Sequence, residues 1–453
     1  MNSPMSYVVS LLSRTRLSVA LIALALIPAI SGKGQADDAK SGGLAKLDSA
    51  TGTLLKRAAA DAEWKVVPNG AAIPEGELIL ALPGVQATLQ SNNSAVRLTL
   101  FGNAPQISLT PALESAVTLQ RTTSSDLDVF LDRGRIIVAN TKQSGVAQVR
   151  VRARKEIWDL VLTEPGTEAA VEFNARWPAG MPYKEQYEKD EEPKAEMVML
   201  VIRGTVELKV EDENRTLRAP PGPALFTWDS VFGLARTPQP LEKLPPWAVP
   251  GAAKTEQAKA IQDALKPLLE SLGKKSVKTA LTDFMASADG ESRKNTADII
   301  RQLAITGFGA TDEIDGLWKA LDSDKNSAQR LVAVETLRHW IGRKAGQDAL
   351  LARLLIRTEK YTPEHASTVL HLLHSYGQKG IEDPITYEVL IADLEHDKLP
   401  IRELAAWHLY RLAPAGREIT YDPASSPEKR AEAAKKWKQL IPRGKLPPTP
   451  SRN

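Results

Sequence analysis

His371 and His374 stand three residues apart, with His365 about a turn and a half earlier on the same expected helix. An i, i+3 pair shares a helix face, and two imidazoles joined by a carboxylate such as Glu364 or Asp393 have the makings of a zinc-type site. The same spacing equally describes a polar face inside a helical array. That plainer reading is adopted, and no metal ligand is assigned. His339, His396 and His408 are scattered over other expected helices.

Other chemistry is thinner still. Gly273-Lys274-Lys275-Ser276 lacks the earlier glycine with which a phosphate loop wraps its anion, so it reads as a connection between helices. Neither Gly-x-Ser-x-Gly nor His-Glu-x-x-His occurs. Cysteine is absent, which excludes disulfides, thiolate metal sites, thiolate nucleophiles and a lipoprotein anchor. The expectation is a non-enzymatic chain without a cofactor. A hydrolase acting on envelope polymers would need two carboxylates about 5–10 Å apart in a cleft of the β-rich half.

Residues suited to binding are easier to find. Arg293, Arg330 and Arg402 recur at one position of successive helical repeats. Each either pairs with an Asp of a neighbouring repeat or joins a ladder that binds an anionic partner. Tyr183 and Tyr187 lie in an acidic, proline-flanked stretch, Pro178 to Glu196, which reads as a solvated hairpin loop or as a partner-binding loop held out by a rigid sheet. Trp318, Trp340, Trp407 and Trp437 read as core residues.

The elements that must position these residues fall into two patterns. From Trp64, short stretches alternate apolar and polar residues, as in Ala95-Val96-Arg97-Leu98-Thr99-Leu100, Ala147-Gln148-Val149-Arg150-Val151-Arg152 and Thr205-Val206-Glu207-Leu208-Lys209-Val210. Period-2 alternation punctuated by Gly, Pro and Asn is the mark of half-buried strands. A β-domain is expected over residues 61–235, as a sandwich, barrel or short solenoid. Residues 236–254 hold Pro238, Pro240, Pro245, Pro246 and Pro250, a stiff linker with Trp247 docked on one of the domains. Beyond Thr255 the period becomes 3.6: Ile261, Leu265, Leu268, Leu269 and Leu272 share a helix face.

Three later segments are alike: Asp289 to Arg293 leading to Ala297, Ile300 and Leu303; Asp324 to Arg330 leading to Ala333, Val334 and Leu337; and Asp397 to Arg402 leading to Ala405, Ala406 and Leu409. A fourth copy opens at Thr362-Pro363-Glu364. A period near 36 with two helices per unit marks an α-solenoid, with Asp, Ser or Thr caps and early prolines opening the helices. Partner helices are expected at Thr311 to Ala320, Gln347 to Arg357 and Ile385 to Leu394.

The N-terminus has its own order. Residues 1–16 carry only positive charge, an apolar run spans Leu17 to Ile30, and small residues follow at Ala29-Ile30-Ser31 and Gly34-Gln35-Ala36. That is a secretory signal, residues 1–36, cleaved after Ser31 or Ala36, or else retained as an inner-membrane anchor over residues 7–31. Either form places the body outside the cytoplasm, in the periplasm or cell envelope. Residues 37–60 are expected as a linker with a short helix over Leu44 to Ala60, and residues 442–453 as a disordered tail. The net charge is +3, and Lys+Arg match Asp+Glu 28 to 28 before residue 255 and 30 to 27 after it. Neither half has the basic excess of a nucleic-acid binder, so the expected partner is a protein.

On these residues the helical half, residues 255–441, resembles HEAT repeats, with Tyr421-Asp422-Pro423, Pro427-Glu428-Lys429-Arg430 and Trp437 resembling a terminal cap of such arrays in bacterial exported proteins. The resemblance implies an interaction scaffold. The β-rich half resembles the FecR family in Asp132-Arg133-Gly134-Arg135-Ile136-Ile137-Val138, Thr163-Glu164-Pro165-Gly166-Thr167-Glu168 and Val201-Ile202-Arg203-Gly204-Thr205-Val206. That likeness implies a periplasmic sensor of a partner protein. Sixteen residues before the apolar run leave no room for the cytoplasmic sigma-factor-binding segment of the usual arrangement. The expectation is a multidomain β + α scaffold or sensor, with a structural envelope component as its alternative.

Overall fold

Strand alternation governs residues 45–241. In β10 (Ala147–Ala153), Ala147, Val149, Val151 and Ala153 are buried while Gln148 faces solvent, and β14 (Thr205–Val210) buries Val206, Leu208 and Val210 in the same way. The computed structural model describes residues 43–48, 53–102, 113–189, 191–249 and 255–448. The signal or anchor segment over residues 1–36 lies outside the described residues, as do 37–42 of the expected linker and 449–453 of the expected tail. No described helix is long and apolar enough to cross a membrane.

Two sheets share one long strand, β9 (Leu127–Asn140). In the first sheet the order is β4 (Ala72–Ile73), β1 (Ala45–Leu47), β6 (Gln86–Ser91), β7 (Val96–Phe101), the second half of β9, β12 (Glu168–Arg176), β13 (Lys194–Arg203), β16 (Gly222–Asp229) and β18 (Gln239–Leu241), with β17 (Gly233–Leu234) also on β16. In the second it is β3 (Lys65–Val67), β2 (Leu54–Arg57), β5 (Leu78–Ala81), β8 (Ser115–Gln120), the first half of β9, β10, β11 (Glu156–Leu162), β14 and β15 (Glu213–Arg218). Among the described strands only β9 with β10 is parallel. The sheets meet face to face where Trp158 of β11 packs edge-on against Phe226 of β16, with ring centroids 5.6 Å apart. Gly134 turns β9 from one sheet into the other. Its φ is +82°, and a Cβ there would lie 1.9 Å from the Glu114 carbonyl oxygen, so only glycine fits.

One expectation changes here. The short helix over Leu44 to Ala60 is replaced by β1 and β2, because Ala45 to Leu47 pair with Leu89 to Ser91 and Leu54 to Arg57 pair with β5. Ladder pairing overrides the local alanine-rich bias. The proline-rich stretch after residue 235 is docked over its described part, with Trp247 as an anchor. Gln239 to Leu241 pair with β16, and Trp247 lies over the Arg135 guanidinium at 4.0 Å. Pairing and cation–π contact together hold the stretch against the first sheet.

The second half is helical: α1 (Glu256–Leu272), α2 (Val277–Gly290), α3 (Lys294–Ala310), α4 (Ile314–Leu321), α5 (Ser327–Gly342), α6 (Gln347–Arg357), α7 (Pro363–His374), α8 (Gln378–Ile381), α9 (Pro384–Asp393), α10 (Leu399–Leu412) and α11 (Pro427–Leu440). Thr255, Ser276, Asn326 and Thr362 accept a first-turn N–H and cap their helices. The helices α3 and α10 begin instead after Arg293 and Lys398, neither of which gives a side-chain cap. Starts at Ser327, Pro363 and Leu399 put α5, α7 and α10 36 residues apart. The inner row runs α3 on α5, α5 on α7 and α7 on α10, with α4, α6 and α9 each packed on the longer helix that follows. Trp318, Trp340, Trp407 and Trp437 are all buried. A single cluster of buried side chains runs from Ala45 in β1 to Ile441 after α11, so the sheets and the helices share one core.

Candidate interaction site

Charged groups buried in this fold collect where the C-terminal ends of the inner helices meet the sheets. A helix C-terminus leaves carbonyls without partners and carries partial negative charge. At the end of α3, Arg133 of β9 donates from Nη2 to the Ala310 carbonyl at 3.0 Å, and Arg343 donates from Nη1 to the Gly309 carbonyl at 3.0 Å. Both guanidiniums also face Glu114, which enters just before β8. Arg133 Nε donates to Glu114 Oε1 at 2.6 Å, and Arg343 Nη2 lies 2.5 Å from the same oxygen. His339 Nε2 is 3.4 Å from it. Burial alone would push the Glu114 carboxyl up, but Arg343, His339 and Arg133 outweigh it and hold the group well below the usual carboxylate range.

The network extends outward. Asp312 Oδ1 accepts from Trp340 Nε1 at 2.9 Å, and Asp312 Oδ2 pairs with Arg57 Nη2 of β2 at 2.9 Å. Trp64 donates from Nε1 to the Thr311 carbonyl at 3.0 Å while Arg57 stacks 4.4 Å over its ring. Three arginines and two acids, Glu114 and Asp312, therefore join β2, β8 and β9 to α3 and α5. Such a set is stable only when its members satisfy one another, and its geometry fixes the seam.

A second polar knot closes the seam at α7. Trp177 stacks between Tyr187 and His374, with centroids at 4.5 Å and 5.3 Å. His374 Nδ1 lies 3.0 Å from the Met181 carbonyl oxygen, and Nε2 lies 3.0 Å from Asp348 Oδ2. Both neighbours are acceptors, and together they fix the orientation of the ring. Tyr187 donates its hydroxyl to the same Asp348 oxygen. Small residues allow the approach: a Cβ on Gly342 would meet the Arg176 Cα at 2.8 Å, and one on Gly180 would meet the Gly377 nitrogen at 2.7 Å.

These placements settle what the expected binding residues touch. Tyr183 and Tyr187 belong to a loop that folds back onto the chain's own helices: Tyr187 is engaged with Asp348, and half-buried Tyr183 lies edge-on to His374. Both tyrosines are half-buried. Arg330 is buried, paired with Glu403 and with Asp422 at 3.0 Å. Arg402 donates to the carbonyls of Pro423 at 2.7 Å and His396 at 2.6 Å. Both arginines thereby tie residues 422–423 to the array, and no exposed ladder forms. Arg293 alone of the three reaches solvent, paired with Glu291 at 3.0 Å.

The histidines of the possible metal face separate. His374 turns to Asp348, His371 packs on Tyr376 at 5.4 Å and His365 on His396 at 4.8 Å. Among the described residues no cluster of three or more His, Asp or Glu is placed to hold a metal. Ser276 of the Gly-Lys-Lys-Ser stretch is the cap of α2.

An open groove lies in the helical half. Its volume is about 620 Å3, and α2, α3, α4 and the turn into α5 line it. Buried Phe308 and Ala320 and half-buried Met285 form an apolar floor. Lys278 bridges Glu313 at 3.3 Å and Asp315 at 3.6 Å, and Arg301 pairs with Asp289 at 3.1 Å. Lys319 and Lys325 also line it, are exposed, and have no ion-pair partner among the described residues. Neither lysine carries a local sign in the sequence, since a surface lysine gains meaning only from the concavity around it. A scan against protein-family models finds no matching family, and searches of curated proteins and of solved structures likewise return no match.

Proposed function

We propose that this chain is an exported, non-catalytic interaction scaffold of the cell envelope that receives a protein partner in the groove between α2 and α5. The β half is a FecR-like platform, and the helices form a HEAT-like array whose inner row is held at one end by the sheets. The observation that carries this reading is the contrast in charge pairing. Asp128 is held by Arg152 at 2.9 Å and Asp159 by Arg150 at 2.6 Å on the β half, and Glu114 is enclosed by arginines at the seam. Carboxylates committed in this way are poor general acids or bases. The groove combines an apolar floor, a polar rim and open access, as binding sites do. The FecR-like and HEAT-like assignments rest on the motifs in the sequence and on the 36-residue spacing of α5, α7 and α10.

A crosslinking pulldown from the envelope fraction tests the reading, with the full chain as bait beside its Thr282→Trp variant. Thr282 is exposed on α2 and lines the groove, so the indole would fill it without disturbing a buried contact. The full chain is expected to retain a protein that T282W does not. Equal retention by both would remove the groove from the interaction, and no retained protein at all would overturn the scaffold reading.

A further inference from the structure

The charge left over in the groove indicates what its occupant carries. Of its lining cations, Lys278 and Arg301 are matched by Glu313, Asp315 and Asp289, and each of these three carboxylates has a cation beside it. Lys319 on α4 and Lys325 in the turn before α5 have no ion pair among the described residues, and the four lining cations against three carboxylates leave a net charge of +1 beside one apolar floor. We propose that the groove binds an extended acidic peptide segment of the partner, one that alternates carboxylate and apolar side chains. This deepens the scaffold reading and rests on it.

Two features favour that occupant. Phe308 and Met285 offer apolar contact between the charges, which an alternating segment meets and a purely acidic one does not. Thr282, Ser323 and Asn326 on the rim supply hydrogen-bonding groups for peptide backbone. A basic segment would face Lys319 and Lys325 with no free carboxylate to receive it.

Fluorescence anisotropy on the full chain tests this with three labelled octapeptides: alternating Glu and Leu, the same with Gln for Glu, and the same with Lys for Glu. The Glu peptide is expected to bind at least about tenfold more tightly than the Gln peptide, and the Lys peptide more weakly than either, with the preference shrinking as salt rises. Lys319→Glu with Lys325→Glu should abolish the preference. Lys429→Glu with Lys435→Glu on α11, the same charge change on exposed lysines outside the groove, should keep it. T282W should block the Glu peptide with the charges intact. Equal binding of Glu and Gln peptides overturns the proposal, as does an equal loss in the α11 variant. If T282W loses its protein partner in the pulldown while the Glu peptide fails to bind, the acidic class is wrong and the scaffold reading stands.

Discussion

The seam and the groove use the same kinds of residue to opposite ends. At the seam, Arg133, Arg343 and Arg57 meet Glu114 and Asp312, the carbonyl ends of α3 are capped, and glycines let the backbones close. In the groove the ion pairs are half-exposed and two lysines are unmatched. Charge that is buried and fully matched holds the architecture, because its removal leaves an uncompensated ion. Charge that is exposed and unmatched contributes little to folding and is free for a ligand. Polar residues therefore divide by surroundings and not by type.

Substitution at the seam should expose the difference most strongly. Glu114→Ala leaves Arg133 and Arg343 facing each other in a buried site and should destabilise the chain by about 3–5 kcal/mol, read by urea unfolding. A smaller loss would mean that water reaches the cluster in solution.

Acid probes the helical core behind the seam. Burial lowers His408 to about 3 from an ordinary 6.5, and its Nε2 donates to the Leu372 carbonyl at 2.7 Å. Below pH 6.5 the unfolded histidine takes up a proton that the folded one refuses until near pH 3. Stability from this group is thus present above pH 6.5 and lost as pH falls, on the order of 3 kcal/mol by pH 4. His408→Gln keeps a donor for Leu372 and should flatten that part of the pH profile. An unchanged acid limb in H408Q would assign the loss to other groups.

Tyr187→Phe removes one donor from Asp348 while His374 remains. It should cost about 1.5 kcal/mol, the low end for a hydrogen bond to a charged acceptor, measured by thermal unfolding. No change would show that Tyr187 covers the knot without helping to hold it. The smallest effect is expected in the groove: K319E/K325E should shift stability by no more than about 0.5 kcal/mol. A larger shift would mean that these lysines also support the fold.

Much of this architecture is legible in the sequence, for reasons particular to its parts. The β10, β11 and β14 strands alternate cleanly because each has one face toward the other sheet. The α5, α7 and α10 helices announce themselves because their starts lie 36 residues apart and their apolar residues fall at helical spacing. The segment over Leu44 to Ala60 misleads, since β1 and β2 are made strands by partners far along the chain, Leu89 to Ser91 and β5. Arg330 and Arg402 stand out by spacing, but spacing does not say that Asp422 and the Pro423 carbonyl would occupy them. Glu114 gives no local sign at all: its partners Arg133 and Arg343 arrive from β9 and from the end of α5. The groove is invisible for the same reason, being assembled from α2, α4 and the turn before α5.

Hydrogen–deuterium exchange of the full chain, with and without the partner recovered by pulldown, bears most directly on this division of labour. New protection is expected over residues 278–289 and 313–329, with the loop over 177–189 and the seam at Glu114 unchanged because they are already closed. Protection gained chiefly in that loop or at the seam, with the groove unaffected, would contradict it.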